Sequence, residues 1–238
     1  MSVEPFTLNP KGQPRAVSVR EGALPPALFA RLRRRVRRLG SERLRQTYQT
    51  TFWFDLRAPE SIVEAAILEI RPLLPIGDAI AGVEWWLSRM RTTDVRVDFH
   101  RDWDERLALT HGRIVHPRLS AVLFVNRVRG GLLAVTRQSP WPENPSCAPR
   151  KVDWELVQPR PNRLAFFSGN LTHGVLDANN QIPNGRIPGK GRLRTAVIMN
   201  FWNRRPMNVP IFSARGQYRA LALRRKARSA RTEPAPGE

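Results

Sequence analysis

The sequence predicts an α+β fold in which helices precede an antiparallel sandwich or barrel. Amphipathic helical patterns are confined to the chain before Gly82, and after it short runs rich in Val, Ile, Phe and Trp alternate with turn residues. Helices followed by many short strands are typical of α+β proteins. With 238 residues, 41% of them hydrophobic, and seven tryptophans, the chain can bury one sizeable core.

Two helices are predicted after an irregular N-terminal segment, residues 1–24. A stripe of Leu and Val with arginines around it predicts a first helix over residues 27–46. A second helix is predicted over residues 61–74, because Ser61-x-x-Glu64 forms a capping box and two prolines close the pattern. Both helices precede the strand-rich region, so we expect them to support it from one side.

Six strands are predicted downstream of the helices. They cover residues 83–87, 94–99, 120–125, 131–136, 163–167 and 194–202. The segments between them that are richest in Pro, Asn and Gly, residues 137–160 and 177–193, are predicted to be long loops of the kind that often carry function.

We expect one structural domain overall, built from three segments. Residues 1–81 would form an N-terminal helical extension that packs on the barrel, and residues 82–213 would form the core. Residues 214–238 would form a basic C-terminal tail, because the segment holds many arginines and ends in TEPAPGE.

The charges are unevenly distributed along the chain. Lys and Arg number 40 against 20 Asp and Glu, a formal net charge of +20. Residues 31–45 hold eight arginines and one acid, and residues 215–231 hold seven basic residues and no acid. A strongly basic chain favours nucleic acid as a partner, but charged runs are also typical of solvated helices and tails. We interpret the two segments as solvated, with a nucleic-acid site as the alternative.

Several classes of protein are excluded by composition. No run approaches the roughly 20 apolar residues of a membrane span, and the N-terminus has no apolar signal core. The single cysteine, Cys147, rules out an intramolecular disulfide framework and a multi-cysteine metal site, and no base is placed near it. A cytoplasmic protein is the prediction.

The segment DVRVDFHRD, residues 94–102, carries the first candidate site residues. In an extended strand Val95, Val97 and Phe99 would share one face, and the opposite face would be charged throughout. That second face holds Asp94, Arg96, Asp98, His100 and Asp102. A charged face is costly in a sealed core, so it is predicted to line a wet cavity. His100 and Asp102 would project to the same side, close enough to ligate one metal ion, with Asp104 as an alternative carboxylate.

A third candidate ligand, His173, ends a short loop after the apolar strand of residues 163–167. His100, Asp102 and His173 would supply two imidazoles and one carboxylate to one side of an ion and leave the opposite positions free. That donor set is the facial triad of non-haem iron(II) oxygenases. Arg194, at the start of an otherwise apolar inward strand, would need a carboxylate partner, either a dicarboxylate ligand or an inward acid such as Asp98.

The ordered set of motifs resembles the iron(II)/2-oxoglutarate-dependent oxygenase superfamily over about residues 85–202. The motifs are His100-x-Asp102, the strand PRLSAVLFVN, the Gly-Gly strand GGLLAVT, His173-Gly-Val, and Arg194-x-Ala before VIMNFW. The resemblance implies a double-stranded β-helix, a jelly-roll or cupin-like barrel with N-terminal supporting helices. It also implies iron(II) ligation by His100, Asp102 and His173, with 2-oxoglutarate and dioxygen as cosubstrates and Arg194 on the 5-carboxylate of 2-oxoglutarate.

Two departures from the family pattern concern the arginine. The interval from His173 to Arg194 is lengthened by the loop DANNQIPNGRIPGKGRL, which makes Arg192 a possible substitute for Arg194. The small hydroxyl residue that the family often carries two positions after the arginine is Ala196 here. One hydrogen bond to the cosubstrate would then be missing or supplied by Thr195 or another residue.

The resemblance implies an enzyme that hydroxylates, or otherwise oxidises, an unactivated C–H bond of a small-molecule, amino-acid or peptide substrate. Asp102 favours these reactions over halogenation, since related halogenases carry a small residue there. One alternative is a nucleic-acid demethylase, but those enzymes carry a second arginine where this chain has Asn200. Another is a non-enzymatic cupin-like metal-binding module, for which Arg194 would have little use.

The remaining histidines and tryptophans have more ordinary interpretations. His111 and His116 are predicted to be surface or loop-packing residues. Trp85 and Trp86 are consecutive, so only one of them can face the cavity of an extended strand. Three residues are candidates to shape a substrate pocket, with core packing as the alternative for the tryptophan: Trp85, Arg89 and Arg91.

Overall fold

The computed structural model describes residues 15–40, 50–138 and 153–223. The strands are β1 Val17–Arg20, β2 Phe52–Phe54, β3 Gly82–Arg91, β4 Leu119–Phe124, β5 Leu133–Thr136, β6 Glu155–Val157, β7 Arg163–Ser168, β8 Thr172–Val175 and β9 Leu193–Trp202. The helices are α1 Pro26–Arg37, α2 Ile62–Ile70 and α3 Glu105–His111, with 3₁₀ turns at Arg71–Leu73 and Gly216–Leu221.

The strands form two antiparallel sheets. The larger has the order β1-β7-β4-β9-β3-β2, and the smaller has the order β6-β5-β8. Every pairing within them is antiparallel. The predicted combination of few helices with a mostly antiparallel sheet is confirmed.

Alternate residues of β9 show how the layers stack. Val197, Met199 and Phe201 belong to the core that the large sheet shares with α1 and α2. Ala196 and Ile198 belong to a second core that also includes side chains of the small sheet. The period of two along a strand therefore separates a helix-facing side from a side that faces the small sheet, and the latter carries the candidate site.

Both predicted helices are present, with shorter bounds. α1 begins with Pro26 at its first turn and ends at Arg37, so residues 38–40 of the predicted helix are not helical and residues 41–46 lie outside the described chain. α2 has the predicted capping box. The Glu64 amide donates to Ser61 Oγ at 3.1 Å, and the Ser61 amide donates to the Glu64 carboxylate at 2.9 Å. After Ile70 the chain tightens into the first 3₁₀ turn instead of continuing as helix to residue 74.

Five of the six predicted strands are present as β3, β4, β5, β7 and β9, but the strand predicted over residues 94–99 is wrong. That segment forms only isolated bridges at its margins, Arg91 with Asp94 and His100 with His173. Val95 and Phe99 are buried while Val97 is exposed, so the three alternating residues do not share one buried face as they would in a paired strand. Pairing of a strand depends on a neighbour distant in sequence, which alternation alone does not reveal.

Four short strands and a helix were not predicted. β2 is a three-residue strand that pairs with β3. β1 lies within the segment expected to be irregular and pairs with β7, far away in sequence. β6 and β8 flank β5 in the small sheet, so His173 lies in a strand and not in a loop. α3 directly follows the candidate ligand Asp102, with Asp104 as its N-cap.

The described helices include none that is long and apolar enough to cross a membrane. The division of the chain at residues 81 and 213 stays a prediction, although β1 and β2, from before residue 82, join the large sheet. Cys147 and the end of the tail from residue 224 onward lie outside the described residues.

Candidate metal centre and its cleft

Backbone pairing brings the two candidate histidines together. The amide of His100 donates to the carbonyl of His173 at 3.0 Å, and the reverse bond is 2.9 Å long. The two imidazole centroids are 4.6 Å apart. Gly174 permits this approach, since a Cβ there would lie 2.7 Å from the ring of Phe99. The segment before His100 can thus lie flat against β8.

Each imidazole is oriented by a backbone carbonyl. His100 Nδ1 donates to the carbonyl of Asp98 at 2.7 Å, and His173 Nδ1 donates to that of Leu171 at 3.0 Å. A neutral imidazole that donates from Nδ1 has a free lone pair on Nε2. Both Nε2 atoms face Asp102, at 3.3 Å from its Oδ1 for His100 and 3.5 Å from its Oδ2 for His173.

The three side chains present a compact donor set. Their ligand atoms all lie within 4.8 Å of one another, and no other group of three His, Cys, Asp or Glu side chains in the described ranges does so. Two nitrogen lone pairs and a carboxylate that converge without a cation repel one another. A metal ion between them removes that repulsion, and the carbonyls on Nδ1 are the supports that histidine ligands ordinarily have.

The electrostatics of the site favour a charged carboxylate and one neutral imidazole. Although burial opposes it, the two imidazoles lower the pKa of Asp102 to about 2. Burial lowers the pKa of His173. Burial also acts against the charged form of His100, but the Asp102 carboxylate and the Asp98 carbonyl outweigh it and raise the pKa of His100. Asp102 is therefore ready as an anionic ligand across the physiological range.

Asp102 is itself held at its side chain and at its backbone. The Ser120 hydroxyl lies 3.2 Å from its Oδ2 and donates to Asn200 Oδ1 at 2.8 Å. The backbone carbonyl of Asp102 accepts a hydrogen bond from His116 Nδ1 at 2.6 Å. His116 is thus a loop-packing residue that positions a candidate ligand, while His111 is exposed at the end of α3.

Asp104, the alternative carboxylate, is occupied elsewhere. Its Oδ1 accepts from the amide of Leu107 at 3.1 Å and so caps α3. Its Oδ2 accepts from Arg204 at 2.7 Å and from the amide of Met207 at 3.2 Å. These bonds give the carboxylate a structural role and leave Asp102 as the acid at the centre.

Arg194 is buried and lacks an anionic partner. It is 1% exposed, its Nε donates to the carbonyl of Gly131 at 3.0 Å, and its guanidinium lies 5.1 Å from the centroid of the Phe124 ring. Its Nη1 is buried with no hydrogen-bond partner, and no acid pairs with it among the described residues. The ion pair with Asp98 considered above is therefore not formed. Burial lowers the pKa of Arg194 to about 10, still well above neutrality.

The surroundings of Arg194 agree with the predicted register of β9. Arg192 is exposed, so the arginine that points inward is Arg194. Gly131 has a φ of 65°, and a Cβ there would lie 3.2 Å from Arg194 Cδ. The Gly-Gly opening of the β5 segment therefore leaves room for the arginine side chain.

A cleft of about 1280 Å³ opens beside the candidate metal centre and is lined by His100 and Asp102. Glu84, Trp86 and Met90 line it from one face of β3, and Arg89 and Arg91 line it as predicted. Trp85 does not, because it is fully buried in the helix-side core. The lining tryptophan is Trp86.

Two further features of the cleft differ from the sequence analysis. Arg96, placed on the inward face of a strand, is exposed at the cleft rim and forms a two-bond pair with Asp94, at 2.8 and 3.1 Å. Glu84 and Ser120 were missed. Their signal is the period of two, since Glu84 and Ser120 both pair with Asn200 and share its face.

Neither the scan against protein-family models nor the search of curated proteins finds a match. The search of solved structures does. A prolyl-4-hydroxylase from Pseudomonas putida is 21% identical at a TM-score of 0.48, over 79% of this chain and 93% of that one. HygX from Streptomyces hygroscopicus, with nickel and 2-oxoglutarate bound, is 13% identical at a TM-score of 0.47, over 83% and 85%.

A third match, an oxidoreductase of the 2OG-Fe(II) oxygenase family from Burkholderia pseudomallei, is 18% identical at a TM-score of 0.43, over 83% of this chain and 89% of that one. The family that the motifs resemble is thus found among the matched structures.

Proposed function

We propose that the protein is an iron(II)- and 2-oxoglutarate-dependent oxygenase with a double-stranded β-helix core. It would oxidise an unactivated C–H bond of a small-molecule, amino-acid or peptide substrate, and hydroxylation is the simplest outcome. His100, Asp102 and His173 would hold the iron, and Arg194 would bind the 5-carboxylate of 2-oxoglutarate. A cytoplasmic location stays a prediction from the sequence.

The observation that carries this proposal is the convergence of two imidazole Nε2 atoms and one carboxylate beside an open cleft. The donor set fits iron(II), since imidazole and carboxylate are its ligands in facial-triad sites. Three protein ligands on one side leave room on the other for a bidentate cosubstrate and dioxygen. The fixed Nδ1 carbonyl contacts mean that the ring orientations need no rearrangement when a metal binds.

Arg194 supplies the second half of the argument. A buried guanidinium without a counter-anion is costly to the fold, and a carboxylate ligand would offset that cost. The free Nη1 and the fork geometry of arginine suit one end of a dicarboxylate. A metal-binding module without such a cosubstrate would have no reason to keep this charge buried, which favours the oxygenase over the cupin-like alternative.

When bound, iron(II) and 2-oxoglutarate supply the oxidising power, with dioxygen reduced as the cosubstrate loses carbon dioxide and becomes succinate. The chain's residues do the positioning. Asp102 stays anionic, and Ser120 and Asn200 hold its carboxylate in place. Arg194, which is buried against the Phe124 ring, would fix the far end of the cosubstrate, and the β3 face of the cleft would orient the substrate.

The test is iron binding and turnover by three single variants. His100→Ala, Asp102→Ala and His173→Ala should each abolish binding of one iron(II) per chain, because an open three-ligand site has no reserve donor. Anaerobic titration with iron(II) measures the affinity. Succinate release from 2-oxoglutarate under air measures turnover, which should vanish with it.

His111→Ala is the matched control, because it removes an exposed histidine at the end of α3 and should keep full iron affinity. Retention of affinity by all three ligand variants would show that the assignment is wrong. Iron binding without any 2-oxoglutarate turnover in the unmodified protein would favour the cupin-like module.

A further inference from the structure

Glu84 is an acid in the cleft that the proposed chemistry does not use. It pairs with Asn200 across the β3–β9 ladder, and directly paired residues project to the same face. Asn200 is a hydrogen-bond neighbour of Asp102. Glu84 therefore lies on the side of the sheet that carries the metal centre, two side chains away from a candidate ligand, and it lines the cleft.

Glu84 has no cationic partner in the described ranges, whereas two other acids of the cleft do. Asp94 pairs with Arg96 at 2.8 Å, and Asp104 pairs with Arg204 at 2.7 Å. Basic residues outnumber acidic ones two to one, 40 against 20. In so basic a chain, an unpaired carboxylate on the wall of a cleft calls for a cation that comes from outside.

The surroundings of Glu84 disfavour its own charge. Thr51 and Trp202 are neutral donors that lower its pKa, while the charges of Asp102 and Asp104 raise it from the metal side. Burial above all, and then these two acids, raise the pKa of Glu84 to about 7. A carboxylate held in this way gains more from a cationic ligand than one that is already solvated or paired.

We propose that Glu84 is a specificity-determining residue that binds an ammonium or guanidinium group of the substrate. This inference rests on the proposed oxygenase function and narrows its substrate class to molecules that carry such a group. A cation held on Glu84 would leave the neighbouring carbon atoms of the substrate on the side of the cleft where His100, Asp102 and His173 converge. Trp86, the next residue of β3 on the same face, would cover the aliphatic part of the substrate.

The experiment is a calorimetric titration of the full-length, chelator-treated protein with three matched pairs of probes. The pairs are blocked arginine with blocked citrulline, hexylamine with hexanol, and blocked lysine with blocked norleucine. The two members of a pair are similar in size and shape, and only the first carries the cationic group. At least one cation should bind about 10- to 100-fold more tightly than its neutral partner, the range for a charge-assisted hydrogen bond.

Glu84→Gln should reduce that preference to less than about twofold, because it weakens binding of the cationic probe and not of the neutral one. Glu84→Asp should retain part of the preference. Glu105→Gln is the matched control, because it removes the same charge from an exposed residue at the cleft rim and should keep the preference. Equal binding within every pair, or no binding of any cation, would overturn the inference. An equal loss in Glu84→Gln and Glu105→Gln would do so too, since it would reduce the effect to general charge.

Iron and 2-oxoglutarate are absent from these titrations, so the two proposals can fail separately. If the protein prefers cations but forms no succinate, the oxygenase proposal is refuted and the cation site is retained. If it forms succinate but shows no cation preference, the cation site is refuted and the oxygenase proposal is retained.

Discussion

At the scale of single residues, the site contains charged side chains that have an oppositely charged partner and others that have none. Asp104 and Asp94 have arginine partners, whereas Arg194 and Glu84 have no charged partner among the described residues. Buried charges without partners are expensive. Both unpaired residues lie on the face of the large sheet that carries the metal centre. The free-energy cost of leaving them unpaired would be offset by bound ligands of opposite charge.

Arg194→Lys should raise the Michaelis constant for 2-oxoglutarate about 10- to 100-fold. An ammonium cannot reproduce the two-pronged geometry of a guanidinium, and a charged hydrogen bond in a shielded site contributes about 1.5–3 kcal/mol. Steady-state kinetics of succinate release at varied 2-oxoglutarate measure the change. Iron affinity without cosubstrate should stay the same.

Arg192→Lys is the control for this variant, because Arg192 lies two residues away and is exposed. It should change the constant less than about twofold. If Arg192→Lys raised the Michaelis constant for 2-oxoglutarate and Arg194→Lys did not, the role assigned to Arg194 would be wrong.

At the scale of elements, α3 and the segment before it hold the metal centre on one side. Asp104 joins three parts of the fold, since it caps α3 through Leu107, pairs with Arg204 after β9, and accepts from the Met207 amide. Asp102 is only two residues away. The stability of this junction therefore determines how firmly the candidate ligand is placed.

Asp104→Ala should destabilise the protein by about 2–3 kcal/mol. A lost N-cap costs about 0.5–2 kcal/mol, and the ion pair adds less than a fully buried one because Arg204 is 41% exposed. Urea unfolding of the metal-free protein measures the loss. Anaerobic iron titration of the folded variant should still show one binding site.

Glu105→Ala, at the first position of α3, is the comparison, and about 0.3–1 kcal/mol is expected from the helix dipole alone. Complete loss of iron in Asp104→Ala with unchanged stability would instead identify Asp104 as a ligand.

At the scale of the whole molecule, the net charge of +20 coexists with an acidic centre made of Glu84, Asp102 and Asp104. The exposed arginines of α1 lie on the helix layer, while the centre lies on the opposite face of the large sheet. Basic side chains, Arg89 and Arg91 among them, also line the cleft, so its local charge differs from place to place.

Glu84 should make the metal-free protein less stable as the pH rises. Burial and the charges of Asp102 and Asp104 raise its pKa from 4.5 to about 7. Between pH 4.5 and 7 the folded state holds more protons at Glu84 than the unfolded state does, so the free energy of unfolding falls as the pH rises through that window. The loss should be about 1–3 kcal/mol, discounted because the side chain is partly exposed.

Urea unfolding of the chelator-treated protein at pH 5 and pH 8 measures this dependence. Glu84→Gln should be more stable than the unmodified protein at pH 8 and lack that part of the pH slope, whereas Glu105→Gln should retain it. An unchanged slope in Glu84→Gln would show that the titrating group is another one.

Much of the candidate site was predictable because it depends on short-range patterns. His100 and Asp102 are two residues apart, and alternation along β9 places Arg194 on the inward face, where it is buried. Arg192 has the same parity but is exposed, because it precedes the first residue of β9, Leu193. The capping box of α2 and five strands were equally local. What failed required a distant partner, as with residues 94–99, whose alternation found no continuous strand to pair with, and β1, which forms only because β7 presents an edge.

The residue types, their order along the chain and the faces of the long strands can be read from local patterns, because these follow from chemistry and from a period of two. Which side chains meet depends on the folded chain. The reciprocal bond between His100 and His173, the absence of an acid beside Arg194 and the place of Glu84 next to Asn200 all depend on strand pairings across tens of residues. Such pairings are set by the packing of the whole sheet, and no local pattern encodes them.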